Sequence, residues 1–143
     1  EGAKRLLFAT TDREEASLEA FFNWFGPLRS YRLRFVCTDM WKGYLNVLRR
    51  RCPKALNVLD RYHIMAHMNK ALDEVRAEET KALRSRKKGH ELVLKHKRWC
   101  LLKRKENLTD HDWPKLQEVL RANLRTTRAY LLKEQFHHLW HYR

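Results

Sequence analysis

The strongest constraint in this chain is a pair of short β-rich segments, each ending in aspartate and joined by one helix. Residues 32–38 (Arg-Leu-Arg-Phe-Val-Cys-Thr) alternate and run into Asp39, and residues 55–59 (Ala-Leu-Asn-Val-Leu) run into Asp60. Between them, Met40 to Arg51 carries Trp41, Tyr44, Leu45 and Leu48 on one helical stripe and breaks before Pro53. A strand–helix–strand crossover makes its two strands parallel, with a right-handed connection almost without exception. Parallel strands deliver their carboxyl ends to one edge of the sheet, where open α/β folds place their sites. If the strands are neighbours, the backbones of Asp39 and Asp60 start only about 5 Å apart.

The flanking segments extend this pattern. Residues 4–10 read as a further short strand, and Thr11–Asp12 cap a helix with Glu14 and Glu15 in its first turn. Leu18, Phe21, Phe22 and Phe25 follow at helical spacing, and Gly26-Pro27 stops the run. From Ile64 to about Arg86 there is neither Pro nor Gly, and Met65, Met68, Leu72 and Val75 form a stripe. Gly89 marks a break, residues 91–105 are ambiguous but compatible with helix, and Thr109-Asp110 starts another helical stretch that continues to the end. The expected architecture is α/β and helix-rich. Strand–helix–strand–helix–strand occupies residues 1–66, and an all-helical basic part occupies 67–143, with no low-complexity linker or repeat at the seam.

Charge narrows the partner. The 143 residues hold 31 Lys and Arg against 17 Asp and Glu, a net of +14. Eleven of the basic residues fall within 81–105 (Lys81, Arg84, Arg86, Lys87, Lys88, Lys95, Lys97, Arg98, Lys103, Arg104 and Lys105), against the single acid Glu91. That density exceeds what solubility needs and favours a polyanion held through counterion release, without separating DNA from RNA. The bland reading is a solvated basic helix or a contact to an acidic protein. Trp99 either stacks on an unpaired base or anchors the helical core, and the core is favoured because large aromatics mostly pack. No apolar run approaches the length of a membrane span, and Leu6-Leu7-Phe8-Ala9 is too short for a secretory signal. Three widely spaced cysteines (Cys37, Cys52, Cys100) argue against a disulfide scaffold and suit a reducing cytoplasm.

Two chemistries remain open at the aspartates. Adjacent carboxylates repel unless one is protonated or a cation lies between them, and hard oxygen ligands favour Mg²⁺ or Mn²⁺. Such a site beside a basic surface suits metal-assisted phosphodiester chemistry. Equally, Asp39 stands where it would cap the Met40 helix, and Asp60 where it would cap the helix carrying His63. His63 and His67 have the spacing of zinc ligands, but Ile-Met-Ala between them lacks the general-base Glu of a zinc protease.

At these same residues the chain resembles a known family. Thr38-Asp39-Met40-Trp41-Lys42-Gly43-Tyr44, Val58-Leu59-Asp60-Arg61-Tyr62-His63-Ile64-Met65 and Met68-Asn69-Lys70-Ala71-Leu72-Asp73-Glu74-Val75-Arg76 look like bacterial insertion-sequence transposases of the ISL-three type. The likeness continues through Leu94–Arg104, Glu106–Asp110 and Asn123–Glu134.

The resemblance implies a DDE transposase with a ribonuclease-H-like core, interrupted by a helical insertion before its final acid. It makes Asp39 the second acid of the Asp-Asp-Glu set and a metal ligand, and Asp60-x-x-His63 an accessory element. It also implies Mg²⁺ or Mn²⁺ in the full-length enzyme, DNA as partner, a homo-oligomer, and a bacterial cytoplasmic, nucleoid-associated location. The family's first acid is expected upstream of Glu1 and its final Glu beyond Arg143; Glu134 belongs to a block of the insertion. A middle piece with one of three acids is therefore expected to be inactive alone. The alternative is a non-catalytic module that binds nucleic acid or dimerises, with both aspartates acting as caps.

Overall fold

Phe35–Thr38 (β1) and Leu56–Leu59 (β2) pair in parallel, with Phe35 opposite Leu56 and Thr38 opposite Leu59. The computed structural model describes residues 5–86 and 90–141, and the chain divides into two compact units, Glu1–Ile64 and Met65–Arg143. The fold is helix-rich α/β with a small parallel sheet. Among the described residues no helix is long and apolar enough to cross a membrane.

In the first unit, α1 (Glu15–Phe25) and α3 (Lys42–Arg51) pack through Phe22, Val47, Leu48 and Cys52, with Leu18, Phe21, Leu33, Val36 and Ala55 around them. Gly26 separates α1 from the short α2 (Pro27–Tyr31); its φ of +87° is a conformation that a residue with a Cβ rarely adopts. Gly43, in α3, is buried, and the space around it is closed to a side chain. A Cβ there would meet the Trp41 ring at 2.5 Å and the Glu15 side chain at 2.9 Å. At the far end of α3, Arg50 and Arg51 both bind Glu19 of α1, at 2.8 and 2.5 Å. These hydrogen bonds hold the Glu19 carboxyl below its ordinary pKa.

The strand expected over 4–10 does not form. Residues 5–10 are irregular, Lys4 lies outside the described residues, and no third strand joins β1 and β2 among those described. An apolar run becomes a strand only where a neighbour completes its hydrogen-bond ladder. Here Phe8 instead lies against α1, 5.7 Å from the Phe21 ring and 5.6 Å from that of Trp24. The sheet is correspondingly bare. Its Val36 side packs on the core, while the opposite side exposes Phe35, Cys37, Leu56 and Val58.

The second unit is wholly helical among its described residues. It comprises the body of α4 (Arg61–Arg86), α5 (Arg98–Leu102), α6 (Asp112–Ala122) and α7 (Arg125–His137), with short 3-10 turns between and after them. Its core joins Leu72, Leu94, Cys100, Leu101, Leu116, Val119 and Tyr130. Two buried charges tie helix ends together. Glu79 of α4 accepts the amides of Arg125 and Thr126 at 2.9 and 2.8 Å and the Thr126 hydroxyl at 2.8 Å, closing the positive end of α7. Lys133 of α7, 1% exposed, donates to the carbonyls of Leu101 and Lys103 at 2.8 and 2.9 Å, at the negative end of α5.

Trp99 departs from its expected core position. It is 64% exposed, whereas the neighbouring Cys100 and Leu101 are buried. A helix as short as α5 presents only one narrow face to the core, and the two smaller side chains fill it.

Candidate functional site

β1 and β2 end level. The Asp60 amide donates to the Thr38 carbonyl at 2.9 Å, and Thr38 is paired with Leu59. Asp39 and Asp60 therefore follow paired residues on adjacent strands, at the shared carboxyl edge of the sheet. Each carboxylate is engaged in the same way. Asp39 accepts the Trp41 amide on Oδ1 at 3.1 Å and the Arg13 guanidinium on Oδ2. Asp60 accepts the Tyr62 amide on Oδ1 at 2.9 Å and meets His63 Nδ1 with Oδ2 at 2.8 Å.

The amide bonds are the turn-forming interactions that aspartate favours where a strand gives way to a helix. Asp60 directly precedes α4 and caps it; Asp39 precedes α3 by two residues. The His63 hydrogen bond, reinforced by the Tyr62 amide, holds the Asp60 carboxyl below its ordinary pKa. Each acid thus has one backbone amide and one side-chain partner, Arg13 for Asp39 and His63 for Asp60.

Carboxylate oxygens are the donors that a hard divalent ion prefers. As they stand, however, Asp39 and Asp60 do not make a metal site. Both oxygens of each are engaged, and no group of three or more His, Cys, Asp or Glu able to hold a metal gathers among the described residues.

The basic segment is sorted by packing. Lys97 is buried and pairs with Glu118 at 2.5 Å, so this member of the expected phosphate-binding set is turned to an internal task. Lys103 is half-buried on Asp112 at 2.7 Å. That bond, with the Thr109 amide and hydroxyl, lowers the Asp112 pKa to about 2. Arg98 pairs with Asp73 at 2.8 Å and lies 5.1 Å from the centre of the Trp99 ring. Lys81, Arg84, Arg86, Lys95, Arg104 and Lys105 are exposed, and Arg84 lies 4.0 Å from Glu91. Lys87 and Lys88 lie outside the described residues.

Sequence reasoning passes over Arg13, which stands 26 positions from the acid it meets. No local motif announces such a pair. The one available signal is that Arg13 sits among the acids opening α1, a place where the helix dipole disfavours a cation.

A family model described as Transposase, of the DDE ISL3 class, matches residues 1–143. The transposase for insertion sequence element IS1001 of Bordetella parapertussis is 28% identical over 140 residues, covering 97% of this chain and 34% of that protein. The transposase for insertion sequence element IS1557 of Mycobacterium tuberculosis is 31% identical over 156 residues, covering 95% of this chain and 35% of that protein. The chain spans about a third of the length of these curated relatives. No solved structure matches it significantly.

Proposed function

The chain belongs to the ISL3 family of insertion-sequence transposases, and from that membership we propose that it forms part of an enzyme that cuts and rejoins DNA at the ends of a mobile element. In this reading the first unit contributes to a ribonuclease-H-like sheet and the second is a helical insertion with a DNA-facing basic surface. Asp39 is one acid of the Asp-Asp-Glu set. The divalent ion proposed with it, Mg²⁺ or Mn²⁺, belongs to the assembled set of acids, of which this chain contributes one. Asp60 orients His63 as an accessory pair. The exposed Lys81, Arg84, Arg86, Lys95, Arg104 and Lys105, together with Arg98, hold phosphate oxygens, and Trp99 offers a flat apolar face to an unpaired base.

The observation that carries this reading is the level ending of β1 and β2, with Asp39 and Asp60 on one edge of a chain that matches the transposase family throughout. The longer protein is proposed to work on bacterial DNA in the cytoplasm as a homo-oligomer. The exposed Phe35, Leu56 and Val58 support assembly, because parallel sheets are ordinarily covered on both faces. The test is Asp39→Asn in the longer protein. Strand cleavage is expected to be abolished and DNA binding retained within about two-fold, because phosphate contacts dominate affinity. Cleavage that survives overturns the assignment.

A second reading, a DNA-binding module without catalysis, is favoured by the full hydrogen-bonding of both carboxylates. It expects DNA binding that depends on salt and is indifferent to divalent metal and to Asp39→Asn.

A further inference from the structure

Resting on the reading of this chain as part of a DNA-acting enzyme, we infer that the first unit has its own surface for the phosphate backbone of duplex DNA. It lies at the amino edge of the sheet, opposite the edge that holds Asp39 and Asp60. Residues 29–54 contain eight Lys and Arg against one acid, Asp39, a density approaching that of 81–105. The fold gathers six of the eight. Because β1 and β2 are parallel with Phe35 opposite Leu56, Arg32 and Arg34 before β1 lie at the same end of the sheet as Lys54 before β2. The Leu56 amide donates to the Arg34 carbonyl at 2.9 Å, which fixes that end. Running back from the acid edge, α3 delivers Arg49, Arg50 and Arg51 there in its last turn. A tight turn follows, in which the Ala55 amide donates to the Cys52 carbonyl at 3.0 Å. Lys54 closes the group, its ammonium 4.1 Å from the centre of the Tyr31 ring at the end of α2. Five strand steps separate Arg34 from Asp39, roughly 16 Å, so this cluster is a different place from the acid edge.

Internal demands use only part of this charge. Helix dipoles account for cations in the last turn of α3 and for Arg32 at the end of α2, but not for Arg34 and Lys54, which precede strands. Glu19 takes Arg50 and Arg51, and Glu15 lies 3.6 Å from Arg50. Six cations against those two acids leave four uncompensated. Arg32, Arg34, Arg49 and Lys54 are exposed, and none pairs with an acid among the described residues. Arg34 lies 5.8 Å from the centre of the Phe35 ring and Arg49 donates to Asn46 at 3.3 Å, contacts that leave both charges in place. Charge so concentrated is what protein–DNA interfaces carry and what the centres of protein–protein interfaces lack. Five of the six are Arg, whose planar fork matches phosphate oxygens. Such contacts position a duplex without reading its bases. The unit that bears Asp39 therefore holds a stretch of backbone by itself.

The experiment measures binding of a short blunt DNA duplex to the 143-residue chain by fluorescence anisotropy across a salt series. One variant combines Arg32→Gln, Arg34→Gln and Lys54→Gln; a second combines Lys95→Gln, Arg104→Gln and Lys105→Gln; a third carries all six. The first variant is expected to lower the slope of log affinity against log salt by about 2 to 3, near 0.9 for each phosphate no longer neutralised. The third is expected to lose the sum of the first two. Circular dichroism and thermal midpoints check folding, and Lys54→Gln alone, at an exposed position, carries the test with a fall of about 0.9 if the triple variant unfolds. A slope unchanged in the first variant but lowered in the second overturns the inference and leaves DNA binding by the second unit standing. Failure of the natural chain to bind the duplex overturns the DNA-holding reading itself. In the second variant the first unit's cluster is the contact under test. If poly-glutamate displaces the duplex from it as readily as unlabelled duplex of equal charge, the surface serves an acidic protein and the assignment to DNA is overturned.

Discussion

Glu79 and Thr126 are joined twice: the Glu79 carboxylate accepts both the amide and the hydroxyl of Thr126, at 2.8 Å each. The pairing spans 47 positions and fastens the start of α7 to α4. Glu79→Ala leaves two buried donors on Thr126 without an acceptor, and is expected to cost about 2–3 kcal/mol, since hydrogen bonds to a charged group are the stronger kind. Glu79→Gln keeps an acceptor oxygen and costs less. Urea unfolding of both variants checks the order.

Acid should loosen the same helical unit through Asp112. Its folded pKa, about 2, lies below the ordinary 3.8 because Lys103 and Thr109 hydrogen-bond the ionised form. A lowered folded value means stability fully present above the unfolded pKa and lost as pH falls from about 4 toward about 2. Glu19 shifts in the same direction in the first unit through Arg50 and Arg51. Thermal midpoints measured between about pH 6 and pH 2 should fall less steeply for Asp112→Asn than for the natural chain, with the variant already less stable at the upper end.

Salt dependence should separate the exposed cations from the buried one. Replacing Lys95, Arg104 and Lys105 together by Gln should lower the slope of log affinity against log salt for duplex DNA by about 2 to 3, near 0.9 for each phosphate no longer neutralised. Lys97→Gln, removing a buried partner of Glu118, should reduce thermal stability and leave that slope unchanged. An equal fall in slope for the two proteins would contradict the sorting of this segment by burial.

Trp99→Ala tests an exposed aromatic. With the ring 64% exposed and its neighbours Cys100 and Leu101 in the core, the folded state should lose less than about 1 kcal/mol. Binding of a DNA with an unpaired base should weaken by about 1–3 kcal/mol, the worth of one stacked base, while binding of a fully paired duplex stays within about two-fold. Urea melts and parallel binding titrations check both.

Much of the fold is legible because its signals are local. The stripe Leu18, Phe21, Phe22 and Phe25 repeats at helical spacing and becomes α1, ended at Gly26-Pro27 as those two residues require. The two β-rich segments ending in Asp39 and Asp60 lie either side of one helix, and a crossover of that kind leaves parallel pairing as the ordinary outcome. The ambiguity over 91–105 is itself informative: that stretch contains only the short α5 and 3-10 turns.

What escapes the sequence depends on partners far along the chain. Residues 4–10 have a strand's apolar character, but whether a ladder forms beside them is decided elsewhere. Lys97 and Lys95 are chemically alike and two positions apart, yet one is buried on Glu118 and the other faces solvent. Trp99 has a core residue's size without a core residue's place.

The chain by itself determined where most helices and both paired strands lie, which pair of acids shares an edge, and how much positive charge sits in 81–105, because propensity, periodicity and formal charge need only near neighbours. Tertiary structure alone decided that Arg13 meets Asp39, that Glu79 closes α7, that Lys133 caps α5 and that Trp99 faces outward. Each of these depends on which groups packing brings within a few ångströms, and no short window of residues encodes that distance.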